Sequence, residues 1–178
     1  MRILMIGGGG REHALIKALL QSPKAEKIFC APGNGGISKD AVCRVVNPMD
    51  LDGVVNLARL GLEARNDPEK FYALLDEKID LVFVAPDDPL AAGLVDRLEE
   101  AGIRAFGPSA AAAQIEASKV FSKNLMKKYG IPTAGYEVFD AAEEALQYIR
   151  KQNRYPVVVK ADGLALGKGV VICEDYAG

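Results

Sequence analysis

Cysteine, histidine, long apolar runs and blocks of one charge are all scarce in this chain. The three cysteines, Cys30, Cys43 and Cys173, are odd in number and far apart, two of them in apolar strand-like runs. That pattern is neither a disulfide framework nor a metal motif, and it fits buried free thiols in a reducing compartment. His13 is the single histidine and has no second histidine or nearby cysteine with which to hold a metal. No apolar run reaches the length of a membrane span, and Met1-Arg2 leads straight into a strand rather than a signal peptide. The 22 basic and 24 acidic residues are interspersed, giving a net charge of −2. Nucleic acid and membrane surfaces therefore have no electrostatic support as partners, and a cytoplasmic protein is expected.

What is present is 49% hydrophobic residues over 178 positions, enough for one large or two small cores. The chain opens on Ile3, Leu4, Met5 and Ile6, a run suited to a strand buried on both faces. Ala14, Leu15, Ala18 and Leu19 then recur at helical spacing. Gly7 to Gly10 sit between the two, at a turn where backbone N–H groups and the positive end of a helix dipole can meet an anion. A dinucleotide is the obvious candidate, but the fingerprint G-x-G-x-x-G fails in both registers: Glu12 or His13 stands at the third glycine. The second strand, Lys27 to Ala31, ends in Pro32-Gly33-Asn34 rather than in the acidic residue that would bind a ribose. A phosphate site without a dinucleotide is the reading that remains, beside a turn that needs glycine for its geometry alone.

Strand and helix alternate from there. A short strand is expected around Arg44 to Val46, then a helix from Asp50 to about Leu62 and a second helix start at Asp67-Pro68-Glu69. Asp80 to Ala85 reads as a strand, Pro86 to Leu90 as its exit loop, Leu90 to Glu100 as a helix and Arg104 to Phe106 as a last strand. Residues 1–108 thus form a doubly wound α/β domain with a parallel sheet. Residues 109–178 differ in character: helices over Ser109 to Glu116 and Ser118 to Tyr129, a strand at Tyr136 to Phe139, a helix from Ala141 to about Gln152, and strands at Pro156 to Lys160 and Val170 to Cys173. Joining the last two is Ala-Asp-Gly-Leu-Ala-Leu-Gly-Lys-Gly (161–169), a second candidate phosphate cradle. It is not a Walker loop, because Gly169 stands where Ser or Thr should be and a strand follows instead of a helix.

Gly-Gly-Gly-Gly-Arg-Glu-His-Ala (7–14), Ala-Pro-Gly-Asn-Gly-Gly (31–36), Phe-Gly-Pro-Ser (106–109), Glu-Ala-Ser-Lys-Val-Phe-Ser-Lys (116–123), Tyr-Gly-Ile-Pro-Thr (129–133) and Val-Lys-Ala-Asp-Gly-Leu-Ala-Leu-Gly-Lys-Gly-Val (159–170) together resemble the phosphoribosylamine-glycine ligase family, whose chains run to more than twice this length. The resemblance implies an ATP-grasp ligase of purine synthesis, which activates glycine as an acyl phosphate with ATP and magnesium and couples it to the amine of 5-phosphoribosylamine. It implies a pre-ATP-grasp substrate domain in residues 1–108 and linker helices with the first part of an ATP-grasp lobe in residues 109–178. ATP phosphates would meet Lys119, Lys160, Gly163, Gly167, Lys168 and Gly169, with Leu164 and Leu166 shielding the site. Lys123 is a further phosphate contact or a surface charge.

For phosphoribosylamine, the resemblance and the glycine turn point to Gly8, Gly9, Gly10, Arg11, Gly33 and Asn34, with Arg11 able to grip phosphate in two-point fashion. Asp87 and Asp88 bind the ribose or the amine, or else form a turn and helix cap. His13 touches substrate or makes a structural hydrogen bond. The family's Gly-Pro-Glu-x-Pro-Leu is here Ala85-Pro-Asp-Asp-Pro-Leu90, with a shorter carboxylate at Asp87, and the stretch from about Leu60 to Lys70 resembles a surface insertion. Magnesium ligands, adenine contacts and most of the glycine site are expected beyond residue 178, so residues 1–178 alone are expected to be inactive. The rival from another class is a nucleotide- or phosphosugar-binding module without catalysis. A biotin carboxylase shares the Lys119 and Lys160 pattern but not the Gly-Gly-Arg-Glu-His start.

Overall fold

A computed structural model describes residues 1–59, 79–165 and 168–176 of the chain. The insertion expected at Leu60 to Lys70 and the helix start at Asp67 lie outside the described residues. The chain divides into two units, Met1–Ala113 and Gln114–Gly178.

In the first unit, β1 (Arg2–Gly7) is the central strand of a five-stranded sheet whose other members are β2 (Lys27–Pro32), β3 (Val42–Cys43), β4 (Leu81–Val84) and β5 (Ala105–Phe106). Every pairing is parallel, and the strand order is β3-β2-β1-β4-β5. The apolar run that opens the chain can sit at the centre because helices cover both of its faces. Leu4 and Ile6 pack with Val54, Val55 and Ala58 of α2 (Leu51–Ala58), Leu90 of α3 (Asp87–Ala91), and Leu94, Val95 and Leu98 of α4 (Leu94–Glu100). Met5 faces the other way, onto Ile16 of α1 (Gly10–Leu19) and Ile37 of a 3-10 turn, Ile37–Lys39. Burying side chains of this size stabilises the fold by roughly 1.5–3 kcal/mol each. Asp50 starts α2 by accepting from the Gly53 N–H at 2.9 Å, and Asp96 starts α5 (Ala110–Ala117) by accepting from the Ala110 N–H at 2.7 Å.

Two elements of this unit differ from the sequence expectation. The third strand lies at Val42–Cys43, ahead of Arg44 to Val46, because Cys30 pairs with Cys43 while the Val45 side chain is fully exposed. The expected exit loop at Pro86 to Leu90 is already helical, and the single expected helix is broken in two at Gly93, whose φ of +88° no right-handed helix accommodates.

In the second unit, Ser118 caps α6 (Lys119–Lys128), its hydroxyl accepting from the Phe121 N–H at 3.0 Å. A further helix, α7 (Ala142–Gln152), ends on Asn153 in the left-handed region. β6 (Val157–Lys160) and β7 (Val170–Cys173) form an antiparallel pair with Lys160 opposite Val170. The strand expected at Tyr136 to Phe139 is absent among the described residues. Its side chains are held by helices instead of a ladder: the Tyr136 hydroxyl donates to Asn124 at 2.8 Å, and the Phe139 ring packs on Tyr148 with centroids 5.3 Å apart.

Candidate functional site

The order β3-β2-β1-β4-β5 reverses direction between β1 and β4, and open α/β sheets bind ligands in the crevice that such a reversal opens at the carboxyl ends of the strands. The glycine turn after β1 and the Pro86-Asp87-Asp88 segment after β4 meet there. Arg11 reaches across, its Nη1 lying 3.3 Å from Asp87 Oδ1 and 3.5 Å from the Ala85 carbonyl oxygen. Arg11 is well exposed, so this ion pair is worth at most about 1 kcal/mol and gives way easily to a better anion. Asp88 is exposed in the first turn of α3.

The turn itself is shaped by close approach. A side chain on Gly7 would strike Glu12 Cγ at 2.7 Å, and one on Gly8 would strike the Gly33 carbonyl oxygen at 2.7 Å. The two loops are tied in turn: the Gly33 N–H donates to the Gly7 carbonyl at 3.1 Å, and the Asn34 side-chain amide donates to the Gly8 carbonyl at 2.6 Å. The Asn34 side-chain oxygen accepts from the Gly36 and Ile37 N–H groups at 2.7 and 2.9 Å, so this residue organises its own loop as well as tying it to the glycine turn.

Glu12 is the functional neighbour that the motif reading passed over. Its buried carboxylate accepts from the Gly9 N–H at 2.5 Å, as the residue three past a helix cap often does. The Gly9 donor is therefore engaged, while Gly10 and Arg11, exposed at the first two helical positions, keep N–H groups that have no carbonyl one turn earlier to bind. His13 lies behind this turn with its Nε2 2.6 Å from Asp40 Oδ2. That hydrogen bond, with help from Lys17 and against some desolvation, holds the Asp40 carboxyl below the usual range. Cys30 is no nucleophile: burial, reinforced by Cys43 and Glu12, pushes its thiol up to about 12, and its Sγ donates to the Gly7 carbonyl at 3.2 Å.

In the second unit, Lys119 at the start of α6 donates from Nζ to the Gly163 carbonyl at 2.7 Å. Lys160 is exposed at the end of β6. The connection from β6 to β7 begins with the Ala161 N–H donating to the Gly169 carbonyl at 2.9 Å, and the Lys168 N–H donates to Ala165 at 2.8 Å. Lys119 and the loop candidate Gly163 are thus in contact; Gly167 and Leu166 lie outside the described residues. Lys123 donates to the Thr133 hydroxyl and the Ala134 carbonyl at 2.7 and 2.9 Å, which makes it a structural tie. Asp162 was not legible as a site residue, because its partners stand more than forty positions away in sequence. It accepts from the Lys119 and Val120 N–H groups at 2.7 and 3.2 Å and from the Ser118 hydroxyl. Desolvation opposes its ionisation, but the hydrogen bonds from Val120, Ser118, Gly163 and Lys119 outweigh it and hold the carboxyl below the usual range.

Known proteins match this chain over both of its units. The chain is 47% identical to the phosphoribosylamine-glycine ligase of Clostridium acetobutylicum, over 99% of this chain and 38% of that protein. It is 49% identical to that of Streptococcus suis, over 98% and 38%. The crystal structure of the Thermotoga maritima phosphoribosylamine-glycine ligase superposes with a TM-score of 0.69 at 32% identity, covering 99% of this chain and 37% of that one. The chain therefore spans well under half the length of the relatives it matches. The family model described as phosphoribosylglycinamide synthetase, N domain, matches residues 1–116, and the one described as phosphoribosylglycinamide synthetase, ATP-grasp (A) domain, matches residues 117–177. The chain belongs to the phosphoribosylglycinamide synthetase family.

Proposed function

We propose that these residues form the amino-terminal part of a ligase that joins glycine to 5-phosphoribosylamine with ATP, giving glycinamide ribonucleotide, ADP and phosphate through a glycyl phosphate. The observation that carries the reading is the meeting of Arg11 and Asp87 across the reversal between β1 and β4. In this reading, residues 1–108 hold phosphoribosylamine. Its phosphate takes the N–H groups of Gly10 and Arg11 and displaces Asp87 from the Arg11 guanidinium, exchanging an exposed ion pair for a charge-assisted, two-point contact. Gly8, Gly9, Gly33 and Asn34 shape the floor, and the released Asp87, with Asp88, accepts from the ribose hydroxyls or the amine.

Residues 109–178 supply cations to the transferring phosphoryl group. Lys119 and Lys160 bind ATP phosphates, and Gly163, Gly167, Lys168 and Gly169 let the backbone come close. Magnesium, when bound, would neutralise phosphate charge; the resemblance puts its carboxylate ligands outside these 178 residues. Among the described residues no three His, Cys, Asp or Glu side chains are grouped to hold a metal.

Calorimetry tests the reading. Ribose 5-phosphate should bind saturably and NAD should not, and Arg11→Ala should weaken the sugar phosphate by roughly 10- to 100-fold, the loss of one charge-assisted contact. Lys160→Ala should weaken ATP by a similar factor and leave ribose 5-phosphate unchanged. Saturable NAD binding with no response to ribose 5-phosphate would sink it.

A further inference from the structure

The Asp162 carboxylate sits where α6 offers its unsatisfied donors and the positive end of its dipole. Lys119 N–H at 2.7 Å, Val120 N–H at 3.2 Å and the Ser118 hydroxyl at 3.1 and 3.3 Å all donate to it. This end of α6 is thereby filled by the protein's own anion. The next residue, Gly163, has a φ of +93°, and its carbonyl takes the Lys119 ammonium at 2.7 Å. Two adjacent loop residues therefore grip both the backbone and the side chain of Lys119. The ammonium's partner is a neutral carbonyl, so that contact fixes the group in place without cancelling its charge.

We propose that Asp162 is a positioning residue: by anchoring the start of the 161–169 segment on the first turn of α6, it sets the Lys119 ammonium where a nucleotide phosphate can take it. The inference rests on the proposed phosphate-binding role of Lys119, and its experiment reads the two separately.

In the full chain, three quantities are compared among wild type, Asp162→Ala and Asp162→Asn, and the last of them also in Lys119→Ala. They are amide hydrogen exchange at Lys119 and Val120, the rate at which a small amine-acylating reagent modifies Lys119, and the Kd for ATP. Asp162→Ala should speed exchange at both amides and acylation of Lys119, and weaken ATP by about tenfold, as loss of a charge-assisted contact does. Asp162→Asn keeps an acceptor oxygen and should recover part of all three while remaining folded. Equal ATP affinity in wild type and Lys119→Ala would sink the phosphate reading of Lys119, yet the grip on that residue would still be judged by exchange and acylation. Faster amide exchange with unchanged acylation of Lys119 and unchanged ATP affinity would overturn the proposal, leaving Asp162 a helix cap only.

Discussion

Asp40 stays ionised into unusually acid solution because the His13 ring hydrogen-bonds its carboxylate. A carboxyl whose folded value lies below its unfolded value stabilises the fold fully above the unfolded value, about 3.9. That contribution disappears as the pH falls through the folded value, since the unfolded chain then binds the proton first. Wild type should therefore lose stability between about pH 5 and pH 2 faster than Asp40→Asn. Urea midpoints across that window read the difference, and parallel curves would show that the bond contributes nothing. Arg11 and Asp87 stand out as candidates in the sequence because each lies in the first turn of the helix that follows a strand, at the edge where a parallel sheet gathers its ligands. Glu12 carries a local signal too, in its spacing from the Gly9 cap. Asp162 and the His13 partner Asp40 carry none, because only the tertiary fold brings them to Ser118 and to α1.

At the scale of elements, apolar patterning finds β1 and β4 directly, since their apolar runs and their burial coincide. It fails where backbone conformation or pairing decides. Leu90 to Glu100 has helical spacing throughout, yet Gly93 adopts a φ of +88° and starts α4 afresh. Tyr136 to Phe139 has strand composition, yet a strand exists only when it pairs, and Tyr136 instead contacts α6 while Phe139 packs on α7. The two descriptions of Gly93 make opposite predictions. In a continuous helix, Gly93→Ala would stabilise by about 1 kcal/mol. In the broken helix it should destabilise by about 1–2 kcal/mol, the cost of a left-handed conformation for a residue with a Cβ. The added methyl would meet Ala110 Cβ at 3.6 Å and Asp96 Oδ2 at 3.7 Å, ordinary contact distances, so backbone strain alone sets the sign. Chemical denaturation of the single variant decides between them, and a gain in stability would refute the break.

For the whole molecule, apolar composition and burial part company. Val157-Val158-Val159 reads much like Leu81-Val82-Phe83, and both runs form strands. Val82 is 0% exposed between layers of helices, whereas Val158 is 49% and Ile172 61% exposed. Among the described residues every buried side chain lies within Met1–Ala113, and neither α6 nor α7 buries one fully. Each buried aliphatic side chain adds roughly 1.5–3 kcal/mol that a local opening must overcome. Opening of β6 and β7 should therefore cost far less than opening of β1 and β4, and native-state hydrogen exchange measures both. Amides of Leu4, Met5 and Val82 should exchange only through global unfolding of their unit, and those of Val158 and Val171 orders of magnitude faster. ATP, if it bridges Lys119 and Lys160 as proposed, should slow exchange in the second set and leave the first unchanged. Equal protection of the two sheets without ligand would contradict this account, because it would require a buried core around β6 and β7 that the exposure of their valines rules out.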